Sequence, residues 1–237
     1  MLIQLILLTI GAYLLGAIPT SYIAGRLLRG IDIRNYGSGV ASASNVWHSV
    51  SRWTVVPVGI FDVLKGAIPV AIACYVLGFD IWAAGIVGLA AIAGHSWSIF
   101  LGFDGGRGFA TMIGVLIIIA PWELLLFIVI CLLGIALLKN SPLWMILGAA
   151  AMPLASLAWY LASLDLPGES AELERVWVML GMLLLIILKR LLAERTIPLN
   201  NWKRVMIYRL VLDRDTRDRE AWIYRDPINM KDPAQKK

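Results

Sequence analysis

Two glycine-rich stretches contain the residues best suited to chemistry: GSGVASASN at 37–45 and GHSWSIFLGFDGGRGFAT at 94–111. Glycine and small hydroxyl residues let backbone N–H groups converge on an anion. Arg107 can fork two hydrogen bonds to a phosphate, and a helix beginning just behind it would add its dipole. Both stretches adjoin membrane-length apolar segments, so they predict a phosphate site at a membrane surface. The alternatives are glycines that serve helix packing and an Arg107 that only fixes topology.

Three more polar side chains lie within apolar segments. Asp62 and Lys65 are three residues apart in FDVLKG, which puts both on one helical face. Burying either charge alone would cost several kcal/mol, so we predict an ion pair that either locks helices together or serves the site. His95 follows Gly94 at the same membrane level as Arg107, and we interpret it as part of a convergent polar site rather than a structural donor.

The composition requires a membrane environment for the elements that carry these residues. Of 237 residues, 59% are hydrophobic and 16% charged, and the mean hydropathy is +0.78. Only a helical bundle satisfies its backbone in lipid with such segments. We therefore predict an all-α integral membrane protein with seven transmembrane helices, near 2–26, 54–78, 81–101, 108–120, 122–138, 142–163 and 174–192.

The distribution of Lys and Arg sets the orientation. Positive residues are retained on the cytoplasmic side, which places the N-terminus outside and both the C-terminus and the glycine-rich loops in the cytoplasm. The fourth helix is too short to cross about 30 Å of hydrocarbon, so we expect it to begin at membrane depth beside a wet pocket. The first apolar run, Leu2 to Ile18, lacks the basic region of a signal peptide and is interpreted as a retained helix.

Several kinds of site are not indicated by the sequence. Cys74 and Cys131 lie inside apolar stretches, which suggests inert thiols rather than a disulfide. His48 and His95 have no carboxylate at ligand spacing, so no metal is predicted. Neither loop matches a nucleotide fingerprint, and no cofactor is predicted.

Residues 193–237 form a polar segment that we interpret as a cytoplasmic C-terminal tail. Within DRDTRDRE at 213–220, Asp213 precedes Arg217 by four residues and Asp215 precedes Arg219 by four, which predicts a solvated helical face. The tail's aromatic and basic residues could instead rest against anionic headgroups. Nucleic-acid binding is judged improbable, because acidic residues of the tail balance its basic ones.

The motifs together resemble the bacterial acyl-phosphate:glycerol-3-phosphate acyltransferases of the PlsY type over roughly residues 1–192. The family pattern GSGNxGATN is matched by Gly37, Ser38, Gly39, Ala43, Ser44 and Asn45, and DVLKG lies at 62–66. The pattern GH…F…F.GGKG.AT is matched by Gly94, His95, Phe100, Phe103, Gly105, Gly106, Gly108, Ala110 and Thr111.

The resemblance implies an enzyme of the bacterial inner membrane that transfers a fatty acyl group from acyl phosphate to the 1-hydroxyl of glycerol 3-phosphate. The product, lysophosphatidic acid, would enter phospholipid biosynthesis. Besides the two substrates, the lipid bilayer would be the partner of the protein. The resemblance implies His95, Ser38 and Asn45 as catalytic residues. The implied phosphate-binding residues are Gly37, Gly39, Ser44, His48, Gly105, Gly106, Arg107, Gly108, Thr111 and Ser141.

The chain departs from the family pattern at several positions. Val40 and Ser42 replace Asn and Gly, His48 replaces Arg, and Arg107 replaces the Lys of GGKG. A third motif with His, Asn and Arg would fall at 189–195, where the chain reads KRLLAER; Lys189 or Arg190 could replace the missing anion contact. Two alternatives follow: a non-catalytic relative that binds lipid, acyl phosphate or a membrane partner, and a small transporter, against which the lack of an inverted repeat argues.

Overall fold

The computed structural model describes residues 1–37, 39–138, 141–163, 172–192, 202–218 and 220. Ser38 and the C-terminal part of the expected third motif, 193–195, lie outside the described residues. The helices of the described chain are α1 Leu2–Ala17, α2 Thr20–Arg29, α3 Ala43–Ser49, α4 Val55–Ala71, α5 Ile81–Ser96, α6 Phe109–Ile119, α7 Pro121–Leu138, α8 Ser141–Leu161, α9 Leu173–Leu191 and α10 Trp202–Leu212.

The all-helical membrane architecture is confirmed. Among the described residues, four helical stretches are long and apolar enough to cross a membrane: Leu2–Arg29, Val55–Val76, Ile81–Leu101 and Ser141–Leu161. The helices α6 and α7 are shorter apolar helices. Each apolar segment predicted from the sequence contains one of these helices or α9.

The first predicted helix, 2–26, is interrupted between α1 and α2. Pro19 has no N–H to donate and its ring crowds the preceding turn, so the α-helical ladder stops at this point. The chain passes through Ile18 and Pro19 in non-helical conformations before α2 begins at Thr20. The interruption leaves the carbonyl of Ile18 and the hydroxyl of Thr20 available to side chains of a neighbouring helix.

Glycines set the closest helix contacts in the bundle. A Cβ at Gly16 of α1 would overlap the carbonyl oxygen of Ala91 in α5, and a Cβ at Gly94 of α5 would overlap that of Tyr13 in α1. The contact of α4 with α6 repeats this arrangement, because Gly66 faces the carbonyl of Thr111 and Gly114 faces that of Val63. Small residues let helix backbones meet in membranes, and these contacts bring α1, α4, α5 and α6 around one point.

The C-terminal region differs from the prediction of a solvated helical face. The helix α10 ends at Leu212, and residues 213–217 form bends rather than a helix. Asp213 lies 2.8 Å from Arg107, and Asp215 lies 2.6 Å from Arg209. Both acids therefore pair with residues N-terminal to them, Asp213 with Arg107 instead of the Arg217 that the i,i+4 spacing had suggested, and Arg219 lies outside the described residues.

Candidate active site

A buried carboxylate lies at the point where α2, α4 and α5 meet. Asp62 Oδ1 accepts hydrogen bonds from Thr20 Oγ1 and Lys65 Nζ, each at 2.6 Å. His95 Nδ1 is 3.6 Å from the same oxygen. The side chains of Asp62, Lys65 and His95 are 2%, 4% and 9% exposed, so the charges act in a poorly solvated environment where their interactions are strong.

Lys65 is further held by the interruption between α1 and α2. Its Nζ donates to the carbonyl of Ile18 at 2.5 Å and lies 3.1 Å from Thr20 Oγ1. The ammonium group thus has three oxygen partners, which together satisfy its three donors. Burial without such partners would cost several kcal/mol, so the break at Pro19 helps to keep a lysine inside the bundle.

A narrow cavity of about 10 Å³ opens beside this cluster. Lys65, His95, Gly105 and Gly106 line it, and Ala41 of the first glycine-rich loop contributes to its wall. Further lining comes from Thr20, Ser21 and Ser98, whose hydroxyl groups were not singled out by the sequence patterns. The cavity therefore joins both glycine-rich loops to the buried cluster.

The second glycine-rich loop folds directly over His95. The backbone N–H of Gly106 donates to the carbonyl of His95 at 3.0 Å. A Cβ at Gly105 would overlap that carbonyl, and a Cβ at Gly106 would overlap Nε2 of the imidazole. Glycine is needed here because the backbone contacts the ring closely, with the Nδ1 side of the ring towards Asp62 and the Nε2 side towards the loop.

Asn45 organises the first loop from within. Its Nδ2 lies within hydrogen-bond distance of three loop carbonyls, those of Ile33 at 2.9 Å, Tyr36 at 3.0 Å and Val40 at 3.1 Å. Its Oδ1 accepts from Ser49 Oγ at 3.0 Å. Because Asn45 is only 2% exposed, the structure places it inside the loop as a clamp on the backbone.

Arg107 lies against the C-terminal end of α9 and the segment after α10. Its Nη1 donates to the carbonyl of Lys189 at 3.1 Å, and its Nε is 2.8 Å from Asp213 Oδ1. Lys189, at the expected third motif, extends back to the second loop, where its Nζ is 3.7 Å from Asp104 Oδ1. The second loop, α9 and the tail are therefore joined by charged contacts. The sequence patterns did not identify Asp104 or Asp213 as neighbours of the site.

The remaining predicted phosphate-binding residues occupy different surroundings. Ser44 is exposed, with Oγ 3.1 Å from Ser42 Oγ, and His48 is exposed on α3. Thr111 is fully buried in α6. Gly108, with φ +81°, takes the left-handed conformation just before that helix, and Ser141 is exposed at the first residue of α8. Gly37 and Gly39 also have positive φ, and a Cβ at Gly37 would overlap Asn45 Oδ1.

An ion pair outside the membrane spans supports the first loop. Arg34 donates to both carboxylate oxygens of Asp32, at 3.1 and 2.8 Å, and its Nη1 donates to the carbonyl of Leu101 at 3.2 Å. Burial opposes ionisation of Asp32, but the hydrogen bonds from Arg34 and the charges of Arg34 and Arg26 outweigh it and lower the pKa of the carboxyl group. The segment before the first loop is thereby tied to the second.

Comparison with known proteins identifies the family. Residues 6–195 match the family model described as glycerol-3-phosphate acyltransferase. The chain belongs to the glycerol-3-phosphate acyltransferase family. A relative from Dehalococcoides mccartyi strain CBDB1, named glycerol-3-phosphate acyltransferase 4, is 38% identical over 216 residues, which cover 90% of each chain. A glycerol-3-phosphate acyltransferase from Geobacter metallireducens is 45% identical over 126 residues, covering 53% of this chain and 63% of the relative.

Solved structures of this acyltransferase family show the same fold. The crystal structure of PlsY (YgiH), an integral membrane glycerol 3-phosphate acyltransferase, in its glycerol 3-phosphate form, superposes with a TM-score of 0.71 at 29% identity. The superposition covers 91% of this chain and 96% of PlsY. The lysophosphatidic acid form gives a TM-score of 0.68 at 28% identity, covering 87% of this chain and 93% of PlsY. The resemblance inferred from the motifs is therefore confirmed.

Proposed function

We propose that this chain transfers a fatty acyl group from acyl phosphate to the 1-hydroxyl of glycerol 3-phosphate and releases lysophosphatidic acid. Its family membership makes it a membrane glycerol-3-phosphate acyltransferase of phospholipid synthesis. The choice of acyl phosphate as donor and of the 1-hydroxyl as acceptor is the finer part of the proposal. A non-catalytic relative is not favoured, because the curated relatives carry the enzyme name and one of them matches along nearly the whole chain.

The observation that best supports this chemistry is the cavity in which Lys65 and His95 lie next to the Gly105–Gly106 turn. Both substrates carry phosphate, whose negative charge suits the positive charge of Lys65 and a glycine turn that leaves space beside the imidazole. The acyl chain suits the surrounding apolar helices and the lipid beyond them. The cavity thus combines the two environments that a phosphate ester and a fatty acyl chain require.

The reaction needs positioning and charge stabilisation more than a strong protein nucleophile. The hydroxyl oxygen of glycerol 3-phosphate attacks the carbonyl carbon of the mixed anhydride, and the bond from that carbon to the phosphate oxygen breaks. The hydroxyl proton is removed as the ester forms and ends on the departing inorganic phosphate, which carries away the bridging oxygen of the anhydride. We propose that His95, oriented by Asp62, takes part in proton transfer, while Lys65 balances the negative charge.

The remaining site residues are proposed to shape the loops and to bind the phosphate groups of the two substrates. Asn45 holds the first loop in shape, and Ser38 and Ser44 of that loop are proposed to hydrogen-bond substrate phosphate. Arg107 and Gly108 are proposed to bind phosphate from the second loop. Gly105 and Gly106, whose N–H groups donate to Asp104 Oδ1 and to the carbonyl of His95, are proposed to leave room for the phosphate beside the imidazole. Lys189 is proposed to supply the cation that the third motif lacks. The same proposal includes contacts to substrate phosphate from the remaining predicted residues, which are Gly37, Gly39, His48, Thr111 and Ser141.

We also propose the finer topology: seven transmembrane helices in the bacterial cytoplasmic membrane, with the N-terminus outside. Both glycine-rich loops and the tail would then meet phosphorylated substrates on the cytoplasmic side. Arg26, Arg29, Arg34 and Arg52 lie on that same side of the predicted topology, as expected from the retention of positive charge.

The test is an assay of the purified protein with acyl phosphate and glycerol 3-phosphate, in which lysophosphatidic acid is measured. Acyl coenzyme A in place of acyl phosphate tests the choice of donor. We expect product only with acyl phosphate, and a loss of about 10²-fold or more in kcat for His95→Gln at unchanged thermal stability. Substrate binding without any turnover of the wild-type protein would refute the enzyme proposal.

A further inference from the structure

The segment that follows the membrane bundle is fastened to it by a reciprocal pair of arginines. Arg190 of α9 donates to the carbonyl of Leu210 near the end of α10, at 2.5 Å. Arg209 of α10 donates to the carbonyl of Leu191 at the end of α9, at 3.0 Å. The last carbonyls of a helix lack intrahelical partners and attract cations, so each arginine caps the other helix. Arg190 and Arg209 are 1% and 3% exposed.

This fastening determines where Asp213 lies. The chain leaves α10 through Asp213 in a left-handed conformation with φ +55°, which Asp tolerates better than most residues. The turn brings the Asp213 carboxylate to 2.8 Å from Arg107 Nε and 4.0 Å from Arg190 Nε. Asp215, two residues later, pairs with Arg209 of α10 at 2.6 Å. This second ion pair holds the turn that carries Asp213 against α10.

Similarity to known proteins extends beyond the residues of the family model. The family model ends at residue 195, before α10 begins. The Dehalococcoides mccartyi relative, however, matches 90% of this chain, a share that residues 1–195 alone could not provide. Similarity to that relative therefore continues past residue 195 into the tail.

We propose that Asp213 is a positioning residue for Arg107, an inference that rests on the proposed phosphate-binding role of Arg107. The planar guanidinium of an arginine can bind phosphate through two hydrogen bonds, and holding it in one orientation beforehand lowers the entropy lost on binding. The carboxylate of Asp213 and the carbonyl of Lys189 hold the guanidinium from two sides. The tail thus completes the phosphate-binding wall of the site.

The decisive experiment compares Asp213→Asn in two backgrounds, the wild-type chain and Arg107→Lys. In the wild-type chain we expect KM for one of the two phosphate substrates to rise by about three- to tenfold with little change in kcat, because the guanidinium must be ordered on binding. In the Arg107→Lys chain the same substitution should have almost no effect, since the lysine lacks the Nε that Asp213 faces. Asp213→Glu, which keeps the charge, should recover part of the loss.

Asp218→Asn is the matched control, because it makes the same charge change at an exposed position of the same segment. It should leave KM and kcat unchanged. Thermal unfolding separates positioning from simple docking of the tail: a large loss of stability in Asp213→Asn with equal kinetic effects in both backgrounds would overturn the proposal. A lower KM in Asp213→Asn would also overturn it, because the carboxylate would then be a competitor of the substrate.

Equilibrium binding distinguishes failure of this inference from failure of the proposed function. Titration of the protein with glycerol 3-phosphate and with a non-transferable acyl phosphonate measures the phosphate site without turnover. We expect Asp213→Asn to weaken binding of one of these ligands about as much as it raises the corresponding KM. Unchanged binding of both ligands by an active wild-type enzyme and its variant would refute the role of Asp213 alone.

Discussion

Replacing one member of the Asp62–Lys65 pair should strongly destabilise the protein. At 2.6 Å and an effective dielectric constant of about 20, the attraction of the two charges is about 6 kcal/mol. Asp62→Asn keeps a polar partner for Thr20, and Lys65 retains the carbonyl of Ile18, so part of that loss is offset. Removing one partner of a buried pair costs about 3–5 kcal/mol, and we expect a loss in this range.

The stability and the activity of three variants should respond differently. For a chain of this size, a loss of about 3–5 kcal/mol lowers the melting temperature by roughly 6–20 °C, which is measurable in detergent solution. The double variant Asp62→Asn with Lys65→Met removes both charges and should recover most of the stability, because no unpaired charge stays buried. Turnover should not recover, because the double variant lacks the ammonium group beside the cavity.

This comparison decides between a structural bridge and a functional pair. If the double variant regains both stability and turnover, the pair only locks α4 to the interrupted end of α1, and the proposed role of Lys65 is wrong. If the double variant stays as unstable as Asp62→Asn, our reasoning about the unpaired charge is wrong. His95 serves as an internal reference, because His95→Gln should reduce turnover without the large loss of stability.

Three further changes test the loops. Asn45→Leu should lower both stability and turnover, since it removes the amide contacts that join three loop carbonyls to one buried side chain; unchanged kinetics would contradict the clamp role. Arg107→Lys introduces the lysine of the family pattern but should lower the affinity for the phosphate substrate, because one ammonium group cannot contact the carbonyl of Lys189 and the carboxylate of Asp213 as the guanidinium does. Improved turnover would contradict the proposed role of these two contacts. Because folding lowers the pKa of Asp32, its ionised carboxylate stabilises the folded state at pH values above about 3.9, the usual pKa of Asp. This contribution is lost as pH falls through the pKa of the folded state. The melting temperature of the wild-type protein should therefore fall more between about pH 5 and 3 than that of Asp32→Asn.

The helices were largely predictable because lipid imposes a simple rule on sequence. Long apolar runs must be helical in a bilayer, so each predicted segment contains a helix. What the runs could not show is the break at Ile18 and Pro19, since the apolar pattern continues across it. A proline can either stop a helix or be tolerated within it. Here the break is stabilised by Lys65, more than forty residues away, which donates to the carbonyl of Ile18.

The site was predictable where local spacing carried the information. The three-residue separation of Asp62 and Lys65 put both on one face of α4, and their charged atoms lie 2.6 Å apart. The glycine turn and His95 were ten residues apart in sequence, and the structure folds one over the other. The tertiary partners were not visible: the i,i+4 rule assigned Asp213 to Arg217, whereas the fold gives it to Arg107.

The departures from the family pattern depend on one another in this fold. An arginine in the second loop can contact both a backbone carbonyl at the end of α9 and a carboxylate of the tail, which a single ammonium group at the same position could not hold in the same way. The residue whose carbonyl it binds, Lys189, sends its own side chain to Asp104 of the same loop. Substitution of Arg107 should therefore change the effect of substitutions in α9 and in the tail. The second loop, the end of α9 and the tail therefore form one set of contacts, and double-mutant cycles between Arg107 and Asp213 should show a coupling energy.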